Sequence, residues 1–226
     1  VDQIIEDVCL QNLHVIFAID RAGLVGSDGE THQGCFDLSY LSMIPNMTVL
    51  APKNKWELSD MLKFAVRYQG PIAIRYPRGE AYDGLEEYRE PMVYGKSELI
   101  FEGEETALLS VGSMVETAVE VREKLKADKI NATLVNARFI KPLDTKILDR
   151  LALKHKKIVT MEENVKNGGF GMAVSEYMQE YHPEVKVQII ALPDAFITHG
   201  NPKLLKAKAG IDADSIYGAI KEAEKR

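Results

Sequence analysis

Short apolar runs alternate along the chain with longer segments in which apolar residues recur every three to four positions. The runs predict strands over 15–19, 47–51, 71–76, 97–101, 106–111, 131–136, 157–162 and 187–192. The helical spacing predicts helices over 1–8, 36–44, 56–68, 115–127, 144–155, 169–181 and 215–225. Strands that alternate with helices are typical of βαβ units, so we expect an α/β fold with mostly parallel sheets.

A polar, irregular stretch over 79–91 interrupts this pattern and is interpreted as a linker. It divides the chain into two predicted domains, 1–85 and 86–226, of which the first is part of an α/β domain and the second a whole one. The first predicted helix begins abruptly, because Val1 already lies on its apolar stripe and no capping residue introduces it. We therefore expect the chain to be the C-terminal part of a longer protein; the alternative is a frayed natural start.

Composition narrows the class of protein. The 226 residues are 46% hydrophobic and 27% charged, as in an ordinary globular protein. The formal charge of −6 argues against nucleic acid or an anionic membrane surface as the main partner. Two cysteines, Cys9 and Cys35, suggest no disulfide framework and fit a reducing, cytoplasmic location. No apolar run approaches the roughly 20 residues of a membrane span.

The most informative segment is the loop that follows the strand predicted over 15–19. It contains Arg21, Asp28, His32 and four glycines, a mixture that a packed core does not need. Open α/β sheets bind ligands at the carboxyl ends of their parallel strands, where this loop begins. The loop is therefore the first candidate for a functional site.

Two arginines, Arg21 and Arg78, are predicted to meet at one edge of the sheet. Arg21 follows the strand over 15–19, and Arg78 follows the strand over 71–76, which ends near Arg75. If these strands are neighbours, the two guanidinium groups converge, and their forked donors suit a phosphate or a carboxylate. The alternative is that each arginine pairs with a nearby acid such as Asp20.

Asp28 and His32 are candidates for catalysis in the same loop. A histidine can exchange a proton near neutral pH, and Asp28 could orient a hydroxyl or an ammonium group. The alternative is an ordinary turn, since Asp28-Gly29 is a common turn dipeptide. No second histidine or cysteine stands at ligand spacing, so we predict no metal site.

The second half contains two glycine-containing segments that open helices, at 112–114 and 168–171. Each could bind an anion at the amino end of its helix. The favoured interpretation of the second segment is instead tight packing of a strand against a capped helix.

Several motifs together resemble the 1-deoxy-D-xylulose-5-phosphate synthase family of transketolase-like thiamine-diphosphate enzymes. They are Ala-Ile-Asp-Arg-Ala-Gly at 18–23, Asp-Gly-Glu-Thr-His-Gln-Gly at 28–34, Arg-Tyr-Pro-Arg-Gly at 75–79, Asn-Ala-Arg-Phe-Ile-Lys-Pro-Leu at 136–143 and Glu-Glu-Asn at 162–164. The resemblance covers essentially the whole chain but only the later part of the family's chain. It implies a truncated pyrimidine-binding transketolase-like domain followed by a complete transketolase C-terminal α/β domain.

The resemblance also implies an activity. The family condenses pyruvate with D-glyceraldehyde 3-phosphate to 1-deoxy-D-xylulose 5-phosphate and carbon dioxide, with thiamine diphosphate as electron sink and Mg²⁺. By position in the motifs, Arg21 and Arg78 would hold the acceptor's phosphate, and Asp28 and His32 would face the adduct and relay protons. The family's main cofactor and metal motifs, and its activating glutamate, belong upstream of Val1. The resemblance thus implies no cofactor or metal residues here, an inactive isolated chain and a homodimer.

Two other classes of function stay open. The chain could be a naturally separate β-type subunit of a two-subunit thiamine-diphosphate 2-oxo-acid decarboxylase or dehydrogenase. It could also be a non-catalytic module that only dimerises.

Overall fold

The computed structural model describes residues 1–26 and 28–224. Within this part of the chain, the strands of the first sheet are β1 Ile16–Ile19, β2 Thr48–Leu50, β3 Ile72–Arg75 and β7 Phe139–Lys141. Their order across the sheet is β1-β3-β2-β7. Strands β1 and β2 both run parallel to β3, whereas β7 runs antiparallel to β2. The first sheet thus takes one strand from late in the chain.

Helices of the first half pack against this sheet. A π-helix spans Ile4–Cys9, α1 spans Asp37–Ser42, and α2 spans Lys55–Arg67. The amino end of α2 is capped because the Asn54 side chain accepts a hydrogen bond from the backbone of Glu57. The predicted N-terminal helix is thus present as a π-helix. Its backbone hydrogen bonds join residues that are five apart in sequence, as in the bond from Leu10 N–H to the Ile5 carbonyl.

The strands of the second sheet are β4 Glu98–Phe101, β5 Glu105–Ser110, β6 Thr133–Asn136, β8 His155–Val165 and β9 Lys186–Leu192. Among the described residues, their order across the sheet is β4-β6-β5-β8-β9. All neighbours are parallel except β4 and β6. The helices are α3 Met114–Ala127, α4 Thr145–Ala152, α5 Phe170–Tyr181, α6 Pro202–Lys208 and α7 Ala213–Glu224.

One apolar core joins the two halves of the chain. It contains Leu38 and Val49 from the first half and Leu109 and Phe170 from the second, all almost fully buried. Burial of such shared apolar surface favours a fixed arrangement of the two sheets.

Buried charges also cross between the halves, and we call Lys53, Glu57, Glu98 and Arg138 the buried charge network. Lys53 Nζ lies 2.6 Å from Glu98 and 3.3 Å from Glu57. Arg138 lies 2.7 Å from Glu57 and 2.8 Å from Glu98. The amide of Asn136 also donates to both carboxylates. Two cations therefore face two anions, each with several partners, as buried charges require.

The predicted α/β class with mostly parallel sheets is confirmed. Two elements, β7 and α6, were missed from the sequence. The predicted division at 85/86 stays a prediction, although β7 places residues 139–141 in the first sheet. Across 1–26 and 28–224, none of the helices has both the length and the apolarity of a membrane span.

Candidate functional site

The arginines Arg21 and Arg78 lie at the same edge of the first sheet because β1 and β3 are parallel neighbours. Ile19 pairs with Arg75, so both strands end at one level, and each arginine follows within three residues. Their guanidinium groups share one carboxylate: Arg78 forms an ion pair with Asp28, and Arg21 Nη1 lies 3.8 Å from the same Asp28 oxygen. We call Arg21 and Arg78 the arginine pair.

The structure fits both interpretations of the arginine pair, namely a site for an oxyanion and pairing of each arginine with a nearby acid. Asp28 acts as the internal anion of the pair, and Asp20 lies 4.0 Å from Arg21 Nε. The side chains remain 39% exposed for Arg21 and 50% for Arg78, so solvent-borne oxyanions can reach both. A phosphate at this edge would compete with Asp28 for the same donors.

His32 occupies a different part of the loop from the arginine pair. Its ring Nδ1 lies 2.9 Å from the Thr31 hydroxyl, and its side chain is exposed. Its backbone N–H donates to the Gly29 carbonyl at 3.1 Å. Within the described residues, no hydrogen bond joins His32 to Asp28. The structure thus brings Asp28 to Arg21 and Arg78 but not to His32, whose ring contacts Thr31 and is exposed.

The backbone of Arg21 adopts a left-handed conformation with φ of +59°. Neighbouring contacts hold it there: the Ala22 N–H donates to Tyr76, and Gly23 and Gly34 exchange two backbone hydrogen bonds. A Cβ on Gly34 would lie 2.1 Å from the Arg21 carbonyl oxygen, so only glycine permits this approach. A strained non-glycine residue held so firmly is typical of functional loops.

A cleft of about 640 Å³ opens beside the arginine pair, between the two halves. Arg78 lines it together with Glu163, Ser113 and Lys206 from the second half. Arg21, Asp28 and His32 are not among the described residues that line it. A ligand that reaches from this cleft to the strand ends would therefore meet Arg78 first.

Arg75 binds other partners than the arginine pair does and has a structural role. It is buried, its Nε lies 2.8 Å from the Asp37 carboxylate, and its Nη2 donates to the backbone oxygens of Gly34 and Glu163 at 2.7 Å each. Its donors are directed at fixed partners inside the protein. Sequence position alone did not separate Arg75 from Arg78.

The glycines at 168–171 surround a side chain of the protein itself. The fully buried Glu162 carboxylate accepts backbone hydrogen bonds from Phe170 at 2.9 Å and Gly171 at 2.7 Å. It therefore caps α5, as the favoured interpretation of this segment predicted. Burial raises the pKa of Glu162 from 4.5 to about 7, although the two backbone donors act in the opposite direction.

A pH-dependent stability follows from the raised pKa of Glu162. Stability from the protonated folded form is fully present below pH 4.5 and is lost as the pH rises through about 7. Glu162→Gln, which stays neutral, should remove up to about 3 kcal/mol of this dependence. Urea denaturation at pH 5 to 8 measures it, with Glu176→Gln, exposed on the same helix, as control. Parallel pH profiles for Glu162→Gln and the unsubstituted protein would contradict the assignment.

Glu163 and Lys206 line the cleft, and neither was predicted from the sequence to be a site residue. Glu163 was placed at the end of a predicted strand, but its hydrogen-bond partner Leu24 is 139 residues away in sequence. A local signal for α6, which carries Lys206, was available: Asn201 caps this helix and Pro202 opens it. Among the described residues, no group of three or more His, Cys, Asp or Glu side chains could hold a metal ion.

Comparison with known families assigns both halves of the chain. Residues 1–83 match the family described as transketolase, pyrimidine binding domain, and residues 95–216 match transketolase, C-terminal domain. The second match covers more than half of the chain. Similar solved structures include one described as an inactive β4 tetramer of a split-gene transketolase, at 28% identity and a TM-score of 0.87, over 98% of this chain and 70% of that chain.

Transketolase from Campylobacter jejuni has the same fold, with a TM-score of 0.71 at 20% identity, over 92% of this chain and 31% of that chain. Curated relatives are named 1-deoxy-D-xylulose-5-phosphate synthase. The protein from Lachnoclostridium phytofermentans is 56% identical over 97% of this chain and 35% of its own length, and that from Desulforudis audaxviator is 47% identical over 100% and 36%. The chain thus spans about a third of these relatives, and it belongs to the transketolase family.

Proposed function

We propose that the complete protein containing this chain condenses pyruvate with D-glyceraldehyde 3-phosphate to 1-deoxy-D-xylulose 5-phosphate and carbon dioxide. Relatives named for this synthase are similar to the chain over nearly all of its length. The single observation that carries the proposal is the arginine pair at the ends of β1 and β3, because a phosphorylated acceptor requires such an anion site.

Arg21 and Arg78 bind the phosphate of the acceptor in this proposal. Their partly exposed guanidiniums present several N–H donors to one point, which Asp28 occupies with a carboxylate oxygen. A phosphate dianion offers more oxygens and more charge than one carboxylate, so it can replace Asp28 on both arginines. Exchange of one anion for another avoids leaving the two cations without a counter-charge.

Asp28 and His32 then serve the reacting end of the substrates. Once displaced from Arg78, the Asp28 carboxylate is available to accept hydrogen bonds from substrate hydroxyl groups. His32 is exposed, and its Nδ1 is oriented by the Thr31 hydroxyl at 2.9 Å. This arrangement leaves Nε2 to transfer a proton to or from a substrate oxygen.

Thiamine diphosphate, when bound, supplies the electron sink for decarboxylation of pyruvate. The match of residues 1–83 to a pyrimidine-binding domain supports its use by the complete protein. Mg²⁺ is proposed with it, and the described residues of this chain offer no cluster that fits the ion. The chain's own contribution is therefore the acceptor side of the site, and we propose that it has no activity by itself.

The test is product formation by the full-length protein supplied with pyruvate, D-glyceraldehyde 3-phosphate, thiamine diphosphate and Mg²⁺. We expect carbon dioxide and 1-deoxy-D-xylulose 5-phosphate in equal amounts, and carbon dioxide release that depends on the aldehyde. The 226-residue chain alone serves as the comparison and should give no product. Carbon dioxide release that does not depend on the aldehyde would contradict the synthase activity. Turnover by the 226-residue chain alone would contradict its proposed inactivity.

A second candidate function is a separately encoded subunit that completes its site with a partner chain. The observation that favours it is the split-gene transketolase, whose β chain matches this chain over 70% of its own length. A gene product that restores activity to this chain when mixed with it would support this alternative.

We also propose that the complete protein is a homodimer and is cytoplasmic. The exposed rings of Phe36 and Phe196 lie edge to face with their centroids 6.0 Å apart, and this apolar surface supports a contact with another protein chain.

A further inference from the structure

Glu163 lies on the wall of the cleft and contacts the loop that carries Arg21. Its side chain comes from β8 of the second half and is only 3% exposed. One carboxylate oxygen, Oε1, accepts a hydrogen bond from the Leu24 backbone N–H at 2.7 Å. Leu24 is three residues after Arg21, so this bond joins the second half of the chain to the segment that sets the position of Arg21.

The approach of Glu163 to this segment is close. A Cβ on Gly23 would lie 2.3 Å from Glu163 Cδ, so the carboxyl group occupies the space that a side chain would need. The rest of the segment is held in the same way, since Val25 N–H donates to Gln33 at 2.7 Å and the Gly26 carbonyl accepts from Gly200 at 3.1 Å. We call residues 21–26 the arginine loop.

The other carboxylate oxygen of Glu163, Oε2, has partners of its own. Lys206 Nζ from α6 lies 3.0 Å away, and the Ser113 hydroxyl donates at 3.1 Å. Lys206 is partly buried and lines the cleft with Arg78. These partners fix the rotation of the carboxylate, and therefore the direction in which Oε1 faces Leu24.

A carboxylate that is held by a cation on one side and by a backbone donor on the other can fix the position of a loop without reacting itself. Within the described residues, the Glu163 side chain forms no hydrogen bond or ion pair with Arg21 or Arg78, and its polar partners are Leu24, Ser113 and Lys206. The left-handed φ of Arg21 makes its side-chain direction sensitive to the backbone that follows, because that conformation is less favourable than the extended one. Release of Leu24 would let the arginine loop relax and move the Arg21 guanidinium away from Arg78.

We propose that Glu163, oriented by Lys206, is a positioning residue that holds the arginine loop so that Arg21 and Arg78 bind one phosphate together. This inference rests on the proposed function for the identity of the ligand. It assigns a role in acceptor binding to two residues of the second half that lie outside the arginine pair.

The test compares Glu163→Gln, Lys206→Met and Lys206→Arg in the full-length protein. Glu163→Gln keeps an oxygen for Leu24 but removes the negative charge that pairs with Lys206. Lys206→Met removes the cation of the pair, whereas Lys206→Arg keeps a cation at this position. Lys208→Met, exposed on the same helix, is the matched control. The readouts are the KM of each substrate, kcat, the dissociation constant of inorganic phosphate by calorimetry, and amide hydrogen exchange of the arginine loop.

We expect Glu163→Gln and Lys206→Met to raise the acceptor KM and the phosphate dissociation constant by about tenfold, with the pyruvate KM within about twofold. Faster exchange in the arginine loop should accompany the change, and Lys206→Arg should keep most of the affinity that Lys206→Met loses. Unchanged phosphate affinity in both variants would overturn the inference. Equal losses for both substrates would overturn it too, since they indicate general damage to the fold.

The outcomes separate this inference from the proposed function. A protein that forms no product, but whose phosphate affinity falls in Glu163→Gln, would refute the synthase and support the positioning role. A protein that forms product, with an acceptor KM indifferent to Glu163 and Lys206, would support the synthase and refute the positioning role.

Discussion

Arg138→Met is expected to lower the free energy of unfolding by about 3–5 kcal/mol, because it leaves buried carboxylates without their counter-charge. Arg138 pairs with Glu57 and Glu98, and all three side chains are at most 2% exposed. Its guanidinium also donates to the Glu90 carbonyl in the linker, at 2.9 Å. Urea denaturation followed by circular dichroism measures the loss.

The control is Arg89→Met in the same part of the fold. Arg89 forms two hydrogen bonds to Asp60, at 2.6 and 2.8 Å, but its side chain is 43% exposed. Water can replace its interactions, so we expect a much smaller change than for Arg138, and one that depends on salt. Similar losses for the two arginines would show that burial of the charge network is not what stabilises the junction between the halves.

Arg78→Ala in the full-length protein is expected to raise the KM of the phosphorylated aldehyde by about 100-fold, with little change in the KM of pyruvate. The substitution removes a charge-assisted, multidentate contact to phosphate, worth about 3 kcal/mol. Steady-state kinetics with each substrate varied in turn measures the effect. Arg67→Ala, an exposed arginine at the end of α2, is the control.

A double variant that combines Arg21→Ala with Arg78→Ala tests whether the two arginines bind the same phosphate. Because Arg21 and Arg78 would bind one phosphate, losses from the two single alanine variants should not add in the double variant. Strict additivity would place the two arginines on separate ligands. No effect of any of these variants on a working enzyme would favour the non-catalytic assembly module that the sequence left open.

The meeting of Arg21 with Arg78 could be predicted from the sequence because it follows from topology. Both arginines come shortly after apolar runs, and parallel strands that are neighbours end at one edge. The position of Asp28 could not be predicted in the same way. Asp28 lies in a loop outside any helix or strand, so only the folded structure shows that Asp28 faces the arginines rather than His32.

Long-range side-chain contacts could not be predicted from the sequence for a different reason. Glu163 and Leu24 are 139 residues apart, and every pair of the buried charge network except Lys53 and Glu57 is at least 40 residues apart. Charged residues are mostly exposed, so Lys53 and Glu98 carry no local mark of their burial. Strand β7 was missed because its three residues, Phe139–Lys141, are too few to show a period.

Strand β7 has a consequence for synthesis on the ribosome. Val49 and Leu50 of β2 take their outer partners from Lys141 and Phe139, about ninety residues later. Until those residues emerge, the nascent first sheet has β2 as an open edge, which other chains can extend. We expect a pause in translation before residue 139 to favour aggregation, and release beyond residue 141 to close the edge.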